Sequence, residues 1–414
     1  MIGKNERTLL HLLWAALNGE RLTLSALSDP TDSSAPSDPA DPAEPTGAPD
    51  FEAVLQEARA QTVLGLVASA LPAEAVAALP PASAAALETE VFQLKAKFMR
   101  ILYGQTRLVS LFRSAGIPLV ILKGMAAAVY DPHPVRRSMG DVDFLVPPER
   151  FADALRMMDA NGYQRQDEPE LEMADEMPRH VQFFRDGIEY ELHHHFSAFD
   201  LDLEPILLDG FGRTVTRDIA GREFPTLPNP ENALVLLAHI RQHLLESGLG
   251  LRQIIDWMQC LKSLTEEETA LLQAYAEKTG LNTLAGTVNR ICNWHLGTAF
   301  SWTADIDPET EDALLEHLFE RGNFGRKLGA DRPVEAISLS VREQGLFPYL
   351  QQMGMLHWEA ARKHAFLRPF AWMHTVCRYG KKGTKLLFHA PGSVQDQLSG
   401  GMKINELLHR LNLD

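Results

Sequence analysis

Residues 117–146 constrain the fold and the chemistry of this chain more than any other segment. The apolar run IPLVIL, rich in strand-forming residues, ends at Lys123-Gly124, and a second apolar run, VDFLV, begins after Asp141. Asp141 and Asp143 are two residues apart, so on a strand their side chains point to the same face. Two adjacent carboxylates repel each other. A divalent cation between them removes that repulsion and supplies a Lewis acid for phosphate chemistry.

The sequence of this segment resembles that of a known superfamily. A glycine loop, a strand carrying Asp-x-Asp and a third carboxylate on a later strand form the pattern of the DNA polymerase β-like nucleotidyltransferases. The runs LKGMAAAVY, RRSMGDVDFLV and IEYELHHHF are similar to its bacterial branch of uncharacterised nucleotidyltransferases, and the resemblance covers roughly residues 100–260. The superfamily usually has Gly-Ser or Gly-Gly in the loop, whereas Met125 follows Gly124 here, which is a trait of this branch.

The resemblance implies a metal-dependent transfer of a nucleoside monophosphate from a nucleoside triphosphate (NTP) to an unknown acceptor hydroxyl. Mg²⁺ or Mn²⁺ ions would be held by Asp141, Asp143 and Glu191. Glu191 would also serve the acceptor side and accept the proton of the attacking hydroxyl. Glu189 lies on the same predicted strand face and is the competing candidate, but the Leu-His that follows Glu191 favours Glu191.

The nucleotide-binding residues implied by the resemblance are Lys123, Gly124, Arg136 and Arg137. Glycine lets the backbone approach a phosphate closely. Positive side chains stabilise the charge that builds up on the leaving pyrophosphate, and arginine presents a fork that fits phosphate oxygens. The alternative is that the arginines neutralise the aspartate pair directly. The sequence does not decide which of the two contacts phosphate.

Further polar residues are candidates for substrate contact: His180, His193, His239, His243, Arg252 and Asp256. The last four form two pairs with a spacing of four, so each pair shares one helix face. A polar contact that fixes the packing between helices is the alternative for these pairs, and a capped surface histidine is the alternative for His180. Glu191, His193 and His195 share a strand face and could form a zinc site. The resemblance instead gives His193 a hydrogen-bonding role.

The charge balance argues against one class of partner. The 414-residue chain has 55 acidic residues against 39 Lys and Arg, which gives a formal net charge of −16. Tight binding to long nucleic acid needs a basic footprint, so we do not expect it. The charge of a single NTP is handled by metal and a few local cations, so a nucleotide substrate is compatible with this balance.

Location follows from the apolar runs and the cysteines. No apolar run is long enough to span a bilayer, and the first twenty residues lack the features of a signal peptide. Cys260, Cys292 and Cys377 match no metal or redox spacing. We therefore expect reduced thiols in a cytoplasmic protein.

We predict an α+β fold, with a small mixed β-sheet nucleotidyltransferase core flanked by an N-terminal helical arm and a C-terminal helical domain. Strand and helix patterns alternate between residues 117 and 196, and helical spacing dominates on both sides. Residues 28–50 are rich in Pro, Asp and Ser and cannot bury enough apolar surface to fold. The predicted divisions are an N-terminal helix (1–27), a disordered linker (28–50), a helical arm (51–113), the core (114–228) and the helical C-terminal domain (229–414).

Within the core, Asp186-Gly187 is a tight-hairpin signal. It joins two of the predicted strands. The predicted strands are 117–122, 141–146, 180–186 and 188–196, with another short pair within 211–224, and the predicted helices are 124–130 and 148–160.

Two other functions stay open at this point. A non-catalytic nucleotide-binding or scaffold protein that keeps the fold is supported by Met125 in the loop. A kinase-like phosphotransferase is the second, because one fold supports several transfer reactions. The basic run RYGKKGTK at residues 378–385 is interpreted as a solvated turn, with an anionic partner as the alternative.

Overall fold

The protein is described here from a computed structural model. The described residues are 2–28, 49–166, 180–195, 203–246, 248–323, 327, 346–358, 360–361, 364–377 and 403–413. Nearly all of the predicted linker 28–50 and the whole basic run 378–385 lie outside these ranges. Contacts divide the chain into one compact unit of residues 1–166, 179–327 and 411–413, and a second of residues 167–178, 328–410 and 414. The functional boundaries at 113/114 and 228/229 stay predictions.

The first unit begins with helices: α1 (Lys4–Asn18), α2 (Leu24–Ser28), α3 (Phe51–Ala60), α4 (Leu64–Ala70), α5 (Ala73–Ala77) and α6 (Pro81–Ser114). Local chemistry sets several of these ends. The Asp50 side chain accepts hydrogen bonds from the backbone N–H groups of Glu52 and Ala53, which caps the start of α3. Helix α6 begins with Pro81, whose missing N–H has no partner to lose at a first helical position.

The five-stranded sheet is mixed, which confirms the predicted α+β class. Its strands are β1 (Val120–Leu122), β2 (Val142–Leu145), β3 (Gln164–Arg165), β4 (His180–Arg185) and β5 (Ile188–His193), in the order β1-β2-β5-β4-β3. The β2–β5 pair is parallel and the other pairs are antiparallel. Asp186 and Gly187 both have positive φ, as a tight hairpin between β4 and β5 requires. A second, two-stranded sheet pairs β6 (Val215–Ile219) with β7 (Arg222–Thr226).

Short helices connect the strands. Helix α7 (Lys123–Ala128) follows β1 directly, and α8 (Phe151–Ala160) follows β2 after a 3₁₀ turn at 148–150. The prediction of helices at 124–130 and 148–160 is therefore correct in kind and close in its limits. The predicted strand 117–122 is shorter than expected, since pairing starts only at Val120.

Helix α6 covers the apolar face of the sheet. Phe112 packs edge-on against Phe144, with ring centroids 5.3 Å apart. At Gly104 the helix lies close to β5, since an added Cβ would lie 2.4 Å from Ile188 Cδ1 and 2.5 Å from the Tyr190 hydroxyl. A residue larger than glycine at this position would push the helix away. The polar residues of β5 consequently lie on the opposite face.

The remaining helices of this unit are α9 (Glu204–Phe211), α10 (Asn229–Glu246), α11 (Leu251–Lys262), α12 (Glu266–Lys278), α13 (Asn282–Leu296) and α14 (Pro308–Arg321). Helices α10 and α11 both pack on α7. Asn232 of α10 donates to the carbonyl of Ala126 at 2.9 Å. Helix α13 packs on α1, where Asn18 donates to the carbonyl of Leu296 at 3.1 Å. The helices after the sheet thus pack against those that precede it.

The second unit contains α15 (Leu346–His357), a 3₁₀ helix (Ala365–Phe370) and helical residues 371–377 and 403–410. The Thr375 hydroxyl donates to the carbonyl of Leu350 at 2.8 Å, which ties the 371–377 segment to α15. Within the described ranges, no helix has both the length and the apolar character needed to cross a membrane.

Candidate active site

Two carboxylates meet in register at the centre of the sheet. In the parallel pairing of β2 with β5, Asp143 lies opposite Glu191, and in the antiparallel pairing of β1 with β2 it lies opposite Leu122. Side chains in register on adjacent strands project from the same face. The structure therefore brings Asp143 and Glu191 together, as the choice of Glu191 for the third acid requires.

A histidine joins these carboxylates. The Nε2 atom of His193 lies 3.1 Å from Oδ1 of Asp143 and 3.4 Å from Oε2 of Glu191. Among the side chains that the structure describes, this is the one set of three metal-ligating groups whose ligand atoms all lie within 4.8 Å of one another. Asp141 directly precedes β2, two residues before Asp143, and is not part of that set. Glu189 also lies outside it.

Lys123 provides a cation at the same place. Its Nζ atom lies 2.8 Å from Oδ1 of Asp143. Its φ of 46° is unusual for a residue with a side chain, and such strained positions concentrate at functional sites. Next to it, a Cβ on Gly124 would lie 3.5 Å from the carbonyl oxygen of Asp141 and from Cε of Met139, which is ordinary contact. The protein itself therefore does not require glycine at position 124.

The ionisation of the cluster is uneven. Burial, and then the charges of Asp143 and Glu191, raise the pKa of Asp141 to about 7. Burial alone would also raise the pKa of Asp143, but Lys123 and the hydrogen bond from His193 hold it well below its usual value. Burial would lower the pKa of Lys123, but the nearby carboxylates raise it instead. Lys123 and His193 thus favour the ionised form of Asp143, whereas the surroundings of Asp141 favour its protonated form.

Arg137 is not available for phosphate in this structure. It is buried and forms two hydrogen bonds to Asp256 of α11, with Nε–Oδ1 and Nη2–Oδ2 distances of 2.8 and 2.7 Å. Arg252, one turn earlier on α11, donates to the carbonyl of Ser138 at 3.1 Å. The pair Arg252/Asp256 thus holds the segment that leads into β2. This geometry matches the packing role that was the alternative to substrate contact.

Arg136 is only half-buried. With Arg137 and Arg252 it lines a cavity of about 10 Å³ next to α11, which has room for about one water molecule. Of the two candidate arginines, Arg136 is thus the more exposed, whereas Arg137 is buried and bound by Asp256.

His239 and His243 of α10 face each other as the spacing predicted, with Nε2 atoms 2.8 Å apart. Burial is the main cause that lowers the pKa of both rings. For His243, which falls to about 3, the charges of Arg252 and Lys123 add to it. For His239, the neighbouring ring and Lys123 do so. Both histidines are therefore neutral near pH 7, and one ring donates to the other.

The remaining histidines separate into different environments. His180 pairs with His193 across the β4–β5 hairpin, with ring centroids 5.3 Å apart, so it lies beside the cluster. His195 instead contacts Glu204 of α9, with Nδ1 and Oε1 2.5 Å apart. The zinc alternative with Glu191, His193 and His195 is therefore not assembled. The set that forms combines Glu191 and His193 with Asp143.

Gln182 was missed by the sequence reasoning. Its Nε2 atom donates to Oε1 of Glu191 at 3.3 Å. The two residues are paired in register on β4 and β5. Counting outward from the Asp186-Gly187 turn would have placed Gln182 opposite Glu191, so the signal was in the hairpin.

Comparison with solved structures finds distant similarity to part of this chain in the following proteins. The solution structure of the antibiotic-resistance factor ANT(2″)-Ia is 14% identical, with 46% of this chain and 92% of that chain covered and a TM-score of 0.31. A crystal structure of ANT(2″)-Ia in complex with adenylyl-2″-tobramycin is 15% identical, with coverages of 42% and 98% and a TM-score of 0.31. An antigenic nucleotidyltransferase-like protein from Paracoccidioides brasiliensis is 15% identical, with coverages of 45% and 91% and a TM-score of 0.28. Likenesses this distant transfer no residue role.

The sequence has no match among the curated proteins. A family model, in contrast, matches residues 47–297, which include all of the sheet and the helices α3 to α13. This is more than half of the chain. The protein belongs to the family described as uncharacterised nucleotidyltransferase.

Proposed function

We propose that this protein is a metal-dependent nucleotidyltransferase that moves a nucleoside monophosphate from an NTP to an acceptor hydroxyl. The observation that carries the proposal is the in-register pairing of Asp143 with Glu191 on the parallel strands β2 and β5. Asp143 also forms an ion pair with Lys123 and follows Asp141 by two residues. Membership of the nucleotidyltransferase family supports the reaction class. The acceptor is a small molecule, peptide or protein, since the acidic balance argues against long nucleic acid.

The residues present fit a divalent cation. Oxygen donors from closely spaced carboxylates are what Mg²⁺ and Mn²⁺ bind in proteins. The raised pKa of Asp141 reflects desolvation of a half-buried carboxylate and the charges of Asp143 and Glu191 beside it, which outweigh the opposing charges of Lys123 and Arg252. Asp141, Asp143 and Glu191 would hold the ion. When bound, it supplies Lewis acidity at the phosphate oxygens and lowers the repulsion among the carboxylates.

The chain's own side chains then account for the transfer. The acceptor oxygen forms a bond to the α-phosphorus while the bond from that phosphorus to the pyrophosphate oxygen breaks, and the electron pair leaves with pyrophosphate. Glu191 accepts the hydroxyl proton. Lys123 and Arg136 stabilise the negative charge on the phosphates. The neutral pair His239/His243 offers hydrogen bonds, not charge, to the acceptor.

The first test is binding. Mg²⁺ or Mn²⁺ together with an NTP should raise the melting temperature of the full chain, because a ligand that binds only the folded state stabilises it. The double variant Asp141→Asn/Asp143→Asn should lose this shift. Glu189→Gln, a carboxylate-to-amide change on the same face of β5 as Glu191, should keep the shift in melting temperature. An undiminished shift in the double variant would place the metal elsewhere.

The second test identifies the product from α- and γ-labelled NTP with a panel of hydroxyl acceptors. Release of pyrophosphate with labelled monophosphate on the acceptor supports the proposal. Release of a nucleoside diphosphate would indicate the kinase-like phosphotransferase. Nucleotide binding without any product would indicate the non-catalytic scaffold. The cytoplasmic location stays a prediction from the three cysteines, which are all free thiols.

A further inference from the structure

We propose that His193 is a nitrogen ligand of the metal and that, with Asp143 and Glu191, it makes a mixed oxygen–nitrogen site that prefers Mn²⁺ to Mg²⁺. This assignment deepens the proposed function and rests on it for the role of the ion. The family resemblance gave the metal only carboxylate ligands, at Asp141, Asp143 and Glu191. The structure adds a donor of different chemistry at the same point.

The geometry at His193 is that of neighbouring ligands. Ligands about 2.1 Å from one ion are roughly 3.0–3.4 Å apart, from octahedral to tetrahedral arrangements. His193 Nε2 lies 3.1 Å from Asp143 Oδ1 and 3.4 Å from Glu191 Oε2. Without metal, Nε2–H donates to these carboxylates. With the proton on Nδ1 instead, the same atom presents its lone pair to the space that the carboxylates share.

The three groups are enclosed but reachable. The side chain of Asp143 is 4% exposed, that of His193 14% and that of Glu191 16%. The alternate residues of β5 on this face are partly exposed, so a cation can reach the three groups from solvent. Strand alternation places Glu191 and His193 on this one face, and the β2–β5 register brings Asp143 to them.

The donor set decides which ion is preferred. Mg²⁺ binds oxygen ligands and water almost exclusively, whereas imidazole favours first-row transition ions. Mn²⁺ accepts carboxylates as readily as Mg²⁺ does and tolerates a nitrogen ligand. A site in which an imidazole joins the carboxylates therefore discriminates against Mg²⁺, which an all-carboxylate site would not do.

The experiment uses tag-free, full-length protein with substoichiometric Mn²⁺. Nucleotide is left out, because its ring nitrogens would also couple to the ion. Electron spin echo envelope modulation (ESEEM) of the bound Mn²⁺ should show coupling to an imidazole ¹⁴N nucleus, and protein produced with ¹⁵N-labelled histidine should show ¹⁵N coupling in its place. That measurement needs no variant, so it tests the assignment even if substitutions at His193 prevent folding.

Two variants locate the nitrogen. His193→Gln should abolish the coupling and weaken Mn²⁺ binding at least roughly 10–100-fold, the loss typical of even outer-shell partners of a metal. His180→Gln is the matched control, because His180 lies across the hairpin with its ring 5.3 Å away and is not part of the Asp143/Glu191/His193 triad. It should keep the coupling. Competition titrations should show that Mg²⁺ displaces Mn²⁺ only at large excess from wild type, and at near-equal concentration from His193→Gln.

Other outcomes overturn the assignment. Bound Mn²⁺ without nitrogen coupling, coupling that survives His193→Gln, or equal affinities for Mn²⁺ and Mg²⁺ in wild type would each do so. If such a result comes with pyrophosphate release in Mg²⁺, the proposed function stands and only the histidine ligand falls. If the coupling is present but no NTP is turned over, the ligand stands and the proposed function falls.

Discussion

Glu189 and Glu191 carry the same side chain on the same face of β5, yet their surroundings differ. Glu191 is in register with Asp143, accepts a hydrogen bond from Gln182 and lies 3.4 Å from His193. Glu189 lies further along the strand, and burial followed by repulsion from Glu191 and Asp143 raises its pKa. A displacement of two residues along one strand thus separates a member of the triad from a neighbour outside it.

This difference predicts the effects of two matched substitutions. Glu191→Gln should lower turnover by roughly 10²–10⁴-fold, the usual contribution of a proton acceptor. It should lower nucleotide affinity much less, because Asp141 and Asp143 still hold the ion on the nucleotide side. Glu189→Gln should change either quantity little. Steady-state rates and nucleotide binding, measured on both variants, check this. Were Glu189→Gln the more damaging change, the third acid would have been assigned to the wrong residue.

At the scale of whole elements, α11 controls the segment that leads into β2. Asp256 binds the buried guanidinium of Arg137 through two hydrogen bonds, and Arg252 binds the carbonyl of Ser138. These contacts fix the backbone a few residues before Asp141. Helix α4 approaches the same segment closely, since a Cβ on Gly65 would lie 2.2 Å from the carbonyl oxygen of Arg136. Helices α4 and α11 therefore both contact the segment that leads into β2.

The pair is expected to matter for stability because both partners are buried, with side-chain exposures of 7% and 11%. Asp256→Asn leaves the charge of Arg137 buried without its counter-ion and should lower the free energy of unfolding by roughly 3–5 kcal/mol. The double variant Arg137→Met/Asp256→Leu removes both charges and should lose much less. Urea unfolding of the single and double variants measures this coupling.

An exposed pair gives the control. Arg107 and Asp186 lie 2.5 Å apart, but their side chains are 46% and 61% exposed. Asp186→Asn should therefore cost no more than about 1 kcal/mol, and asparagine tolerates the positive φ of that turn. A loss at Asp186 equal to that at Asp256 would mean that burial does not set the strength of these pairs.

At the scale of the whole molecule, buried histidines couple stability to pH. Burial lowers the pKa of His243 and of His317 to about 3, with help from Arg321 in the case of His317. When the pH is below the unfolded-state pKa of about 6.5, these histidines bind protons in the unfolded chain but not in the folded protein. Their contribution to stability is complete above that pH and is lost as the pH falls. His193, whose pKa hydrogen bonds to carboxylates raise against the effect of burial, acts in the opposite direction.

His317 allows one term to be isolated, because it lies in α14, outside the candidate site. From pH 7 to pH 5 it should cost roughly 2 kcal/mol of the free energy of unfolding, about 1.4 kcal/mol for each pH unit below 6.5. His317→Gln keeps a polar side chain and cannot titrate. Its stability should therefore fall less between these pH values than that of wild type. Parallel pH dependences of the two proteins would show that His317 does not titrate as expected.

The sequence predicted those features that depend on a few neighbouring residues. Apolar runs located β1 and β2, and the Asp-Gly turn defined the hairpin of β4 and β5. Strand alternation separated Glu191 from the apolar face of β5. Spacing of four residues paired His239 with His243. Each of these inferences needs only the period of a strand, a helix or a turn, and that period is written in the local sequence.

Tertiary structure decided the contacts between distant segments. Arg137 meets Asp256, 119 residues away, and not a phosphate, because α11 packs against the segment before β2. His193 meets Asp143, 50 residues away, whereas His195 turns to Glu204 of α9. Neither choice has a local signal, since it depends on which elements pack side by side and in which register. The sequence by itself determined which side chains could carry the chemistry, and the packing determined which of them meet.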